Sequence, residues 1–131
     1  MATARILTDS SLLVEFFRKK KKEETWLYKL LAQETVLYIS AMTHYELLCG
    51  AKSPELYRDT INLLQLFETI NFSEREAKMA ASIYQNLKKQ NALIGTLDIL
   101  IAATAIEYNL PIATHNRSHF ERISTLQIIS Q

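Results

Sequence analysis

Strand-like and helix-like segments alternate along this chain, and that alternation constrains the fold more than any other feature. Ala4 to Leu7 reads as a buried strand ending at Thr8-Asp9-Ser10. Leu12, Leu13, Phe16 and Phe17 then recur at helical spacing, with Ser10 or Ser11 as the expected cap. After the basic run Arg18 to Lys22, Glu23 and Glu24 fit the first turn of a second helix with Trp26, Leu27, Leu30 and Leu31 on its apolar face. Thr35 to Ile39 is β-branched and aromatic, a second strand; Ser40 caps a helix from about Ala41 to Cys49 that Gly50 closes. Ser53-Pro54 opens another helix, and Glu68 to Phe72 is a short strand. Ser73 with Glu76 forms a capping box for a helix to about Lys89, its face set by Ala77, Ala80, Ala81, Tyr84 and Leu87. Thr96 caps a helix to about Tyr108, with Asn109 just past its end. Leu110 to Thr114 is a strand, Ser118 to Ile123 a short turn or helix, and Leu126 to Ile129 a last strand. The pattern predicts an α/β fold with a parallel sheet covered by helices on both faces.

The 131 residues suit one compact domain, 1–131. Two glycines and two prolines argue against a loop-rich all-β protein and against long linkers. The formal charge of +1 does not by itself demand a nucleic-acid partner, for which a strongly basic domain is the usual footprint. The single cysteine, Cys49, has no partner for an intramolecular disulfide, which fits a reducing, cytoplasmic setting. No unbroken apolar run is long enough to cross a membrane, and no basic start precedes an apolar leader segment.

Three carboxylates stand where an ordinary surface acid does not. Asp9 directly follows a hydrophobic strand, and in open α/β sheets ligands bind beyond the carboxyl ends of strands. The alternative role for Asp9 is a plain helix cap. Asp98 shares a helix face with Ile101, Ala102 and Ala105, where an unpaired charge is costly; the alternative is a first-turn acid serving the helix dipole. Glu46 has only uncharged neighbours one turn away, and otherwise reads as an exposed helical glutamate. Inward-facing acids repel unless something neutralises them. A hard divalent cation does so, and Mg²⁺ or Mn²⁺ prefers carboxylate oxygens and water.

Four segments resemble the PIN-domain ribonucleases, in particular the VapC-type toxins of toxin–antitoxin pairs. They are Ile6-Leu7-Thr8-Asp9-Ser10-Ser11, the stretch from Ile39 through Glu46 to Gly50, the stretch from Ile94 through Asp98 to Ala105, and Leu110 to Phe120. Asp98 followed by Ile101-Ala102-Ala103 is the most specific of them. The resemblance implies a three-layer α/β/α fold and a Mg²⁺ or Mn²⁺ ion held by Asp9, Glu46 and Asp98 as the catalytic acids. It also implies metal-dependent endonucleolytic cleavage of RNA by the toxin of a type II toxin–antitoxin pair, a homodimer, and an antitoxin partner that covers the active site. The fourth segment departs from the pattern: many relatives carry another acid at the position of Asn116 or His119, and neither is acidic here.

Around these acids, Thr114, Ser10, Asn116, His119 and Arg117 are candidates for supporting or substrate-contacting roles, and the basic run Arg18 to Lys22 for guiding an RNA backbone. Their alternatives are an ordinary strand threonine, a cap and a solvated helix end. The missing acid motivates a competing function: a PIN-like binding module without catalysis. A phospho-acceptor signalling domain does not fit, since Asp9 lacks an acidic neighbour and no lysine follows Lys89. A dinucleotide-binding enzyme is excluded, because Gly50 and Gly95 are the only glycines. The histidines lack zinc-ligand spacing.

Overall fold

The computed structural model describes residues 3–131. Five strands, β1 (Ala4–Thr8), β2 (Thr35–Ser40), β3 (Glu68–Ile70), β4 (Ile112–Ala113) and β5 (Ile128–Ile129), form one sheet of order β3-β2-β1-β4-β5. Every pairing is parallel. The helices are α1 (Ser10–Arg18), α2 (Trp26–Leu31), α3 (Ala41–Gly50), α4 (Pro54–Leu64), α5 (Glu74–Lys89), α6 (Thr96–Glu107) and α7 (Arg117–Phe120).

The period-2 alternation of β1 divides the core in two. Leu7 packs with Ile83, Leu87, Ile101 and Phe120 under α5, α6 and α7. Ile6 packs with Leu12, Leu27, Ile39 and Leu63 under α1, α2 and α4. Ile112 and Ala113 of β4 split the same way. The three-layer expectation is met, and the sheet is wholly parallel rather than mostly so. Burial on both faces is what such a sheet requires.

Several local expectations are corrected. Asp9, not Ser10 or Ser11, caps α1. Glu23 and Glu24 lie in a separate 3-10 turn, Lys22–Glu24, and Thr25 caps α2 by accepting from the Tyr28 N–H. The inward face of α5 is Glu76, Ala80, Ile83 and Leu87, whereas Ala77, Ala81 and Tyr84 are exposed. Glu76 goes inside because the capping box holds it: its Oε1 accepts from the Ser73 N–H and hydroxyl, both at 2.8 Å. Gly95 is the N-cap of α6, and Thr96 is already helical.

Asn109 matters beyond its local turn. Its φ of 58° is left-handed, and it ends α6 in a Schellman motif. The Asn109 N–H donates to Ile106 O and the Leu110 N–H to Ala105 O. The chain thereby reverses straight into β4. Asn109→Ala is expected to cost about 1–2 kcal/mol, with Asn109→Gly close to neutral, as read by urea unfolding.

A candidate metal centre at the carboxyl edge of the sheet

From β1 the chain winds outward through β2 to β3, then crosses back to place β4 on the other side of β1. The switch point therefore lies between the carboxyl ends of β1 and β4, where such sheets open a crevice. Asp9 follows β1 there and Thr114 follows β4.

Asp9 is 1% exposed. Its Oδ2 accepts from the Ser11 N–H at 3.4 Å, the Ser11 hydroxyl at 2.7 Å and the Thr114 hydroxyl at 2.9 Å. Helix capping thus accounts for Oδ2. It leaves Oδ1 buried with no hydrogen-bond partner among the described residues. Thr114 in turn accepts from the Asn116 N–H at 2.9 Å, and the Ser11 hydroxyl accepts from the His115 N–H at 3.0 Å. These bonds stitch the turn after β4 to the start of α1.

Glu46 reaches the same place from α3, which packs on both α1 and α6. Its Oε1 is buried and equally without a partner. Asp98 stands in the first turn of α6, with its Oδ2 3.1 Å from His119 Nδ1. Burial pushes the carboxyl of Asp9 above its ordinary range; the Ser11 and Thr114 bonds oppose this, and the charge of Asp98 adds to it. Glu46 is raised chiefly by burial, eased by the Ser10 hydroxyl, and raised further by Asp9 and Asp98. Asp9 therefore feels the charge of Asp98, and Glu46 that of both.

Two orphaned, buried carboxylate oxygens in a shared field suit a hard divalent cation, which would supply the missing partner and cancel the repulsion. Among the described residues no three acids, histidines or cysteines converge closely enough to chelate an ion unaided. That is compatible with a cation of the Mg²⁺ class, which keeps several waters and takes one or two carboxylates directly.

Of the other candidates, Ser10 lies beside Glu46, and Asn116 lines the same groove. Arg117 is engaged elsewhere, by the Ser130 hydroxyl at 2.6 Å and by Glu121 at 3.7 Å. Sequence reasoning missed Ser11 as a partner of the acid, which it bonds twice; its only signal was a position two residues after Asp9. It also missed the pairing of Glu15 with His115 at 3.2 Å, a contact across 100 positions that no local pattern announces.

The PIN domain family profile matches residues 6–126. This chain belongs to the PIN domain family. Ribonuclease VapC1 of Methanocaldococcus jannaschii is 35% identical over 121 residues, covering 92% of this chain and 82% of the relative. Ribonuclease VapC of Rickettsia bellii is 32% identical, covering 95% of each chain. Among solved structures, VapBC-1 from nontypeable Haemophilus influenzae superposes with a TM-score of 0.78 at 25% identity, over 96% of this chain and 97% of the other. VapBC2 from Rickettsia felis, bound to a promoter DNA fragment, gives a TM-score of 0.82 over 97% and 98% at 24% identity, a likeness of fold.

In this PIN domain Thr114 is the hinge of the polar network. Thr114→Val removes a donor to a buried carboxylate and an acceptor from a backbone N–H. The expected cost is about 1–3 kcal/mol at neutral pH in a denaturant titration, with Thr114→Ser retaining most of the stability.

Proposed function

We propose that this chain is a divalent-cation-dependent endoribonuclease, the toxin of a type II toxin–antitoxin pair, acting in the cytoplasm. The observation that carries the reading is the pair of buried, partnerless oxygens on Asp9 and Glu46 within the field of Asp98. The ribonuclease names of its relatives point the same way.

Asp9, Glu46 and Asp98 are the proposed holders of Mg²⁺ or Mn²⁺, which would supply positive charge to the scissile phosphate and activate water for attack. The residues' own roles follow from their surroundings. Thr114 and Ser11 fix the orientation of Asp9. Glu46, whose Oε1 has no partner among the described residues, would hold the cation through a water or position the attacking water. His119 lies against Asp98, and together with Asn116 it occupies ground where many relatives carry a further acid. The antitoxin is proposed to cover this edge of the sheet, and the active species to be a homodimer.

Incubating the purified protein with a mixed pool of structured RNA in Mn²⁺, Mg²⁺ or EDTA tests the reading. Discrete cleavage that requires the metal is expected. The histidine and asparagine in place of acids favour one second reading, a binding module. Absence of both cleavage and Mn²⁺ binding would put that reading in its place.

A further inference from the structure

A groove of about 480 Å³ runs from Glu46 along α1, and its two ends differ in charge. Glu46 and Ser10 line one end, Arg18 and Lys19 the other, with His115 and Asn116 on the wall across from α1. Arg18 closes α1 and Lys19 is its C-cap, so at 1.5 Å per residue they stand about 14–15 Å along the helix from Asp9. Glu15, one turn back, feels the charge of Lys19 but makes no ion pair with it. It accepts from the Trp26 N–H at 3.1 Å and meets His115 Nε2 at 3.2 Å. Among the described residues neither Arg18 nor Lys19 forms an ion pair.

The rest of the basic run behaves differently. Lys22 folds back onto the end of α1, donating to the carbonyls of Phe16 and Phe17 and covering the Phe16 ring. That is a helix-terminal role. Lys20 and Lys21 do not line the groove.

We infer that this groove is the subsite for a phosphate of the RNA strand next to the one cleaved, held by Arg18 and Lys19 with Asn116 opposite. Lys20, Lys21 and Lys22 take no part in it. The inference rests on the ribonuclease reading. It splits five consecutive basic residues by function, which charge alone would not do.

The test compares two double variants that remove the same charge, R18A/K19A and K20A/K21A. Each is made in the full chain with Asp98→Asn to prevent turnover. The probe is a short fluorescein-labelled oligoribonucleotide of randomised sequence, followed by anisotropy across a salt series. R18A/K19A is expected to weaken binding about tenfold. It should also flatten the slope of log affinity against log salt by about 0.7, the value for one single-strand phosphate that is no longer neutralised. K20A/K21A should stay within about twofold of its parent. Equal weakening by the two pairs would overturn the subsite in favour of diffuse attraction. If the wild-type chain cleaves RNA in Mn²⁺ while R18A/K19A keeps its affinity and salt slope, the subsite fails and the nuclease reading stands. If the wild-type chain neither binds nor cleaves RNA, both fail.

Discussion

Asp98→Asn is expected to lower metal-dependent RNA cleavage by about two to three orders of magnitude while leaving the fold intact. The size follows from removing one preorganised charge from a site that acts electrostatically. The fold survives because Asp98 contributes little to it. Its Oδ2 meets His119 at 3.1 Å, at a side chain that is 47% exposed, and an asparagine keeps that contact. The surrounding helix is held by Ile99 and by Ile101 to Ala105, all buried. Circular dichroism and melting temperature should match the wild-type protein. A loss of activity accompanied by a loss of fold would not support the assignment; a loss of activity alone would.

Mn²⁺ should stabilise the wild-type protein strongly. A ligand that binds only the native state contributes about 2.7 kcal/mol at a hundred times its Kd, which for a chain of this size is a rise of about 10 °C in Tm. Asp9→Asn should remove most of that rise and, in EDTA at neutral pH, melt higher than the wild type. Asparagine is as good an N-cap as aspartate and still accepts from Ser11 and Thr114. Its amide would put a donor where Oδ1 now has no partner, beside the carboxylate of Glu46. The pH dependence has a definite sign. Asp9 and Glu46 sit above their ordinary values of 3.8 and 4.5 in the folded protein, so the native state keeps protons that the unfolded chain has released. Without metal, their contribution to stability is largest in acid and falls as pH rises through the carboxylate range toward those raised values. Asp9→Asn should flatten that decline in EDTA, and saturating Mn²⁺ should do the same in the wild type.

The layering of the fold was legible because a buried parallel sheet leaves a strong mark: apolar β-branched runs separated by helical stripes. Element ends were less legible, since they depend on backbone geometry. Gly95 rather than Thr96 caps α6 because Gly95 holds the extended φ and ψ of a cap, with no side-chain bond to betray it. The inward face of α5 was misjudged because alanine tolerates either side of a helix, while Glu76 looks like a surface residue until its capping box is drawn. Within the site, the three acids were visible as charges among apolar neighbours. Their convergence was not, because spacings of 37 and 52 residues carry no geometry. The bond from Thr114 to Asp9 spans 105 residues and depends wholly on β1 and β4 being neighbours. Arg117 was legible as a cation near the site, but its contacts with Ser130 and Glu121 were not.

The central claim is that Asp9, Glu46 and Asp98 form one cation site. Calorimetric titration of Mn²⁺ into the wild-type chain and into Asp9→Asn, Glu46→Gln and Asp98→Asn tests it most directly. Saturable binding to the wild-type chain, weakened at least tenfold in each of the three variants, is the expected result. Wild-type affinity retained in all three, or no Mn²⁺ binding by a folded wild-type chain, would contradict it.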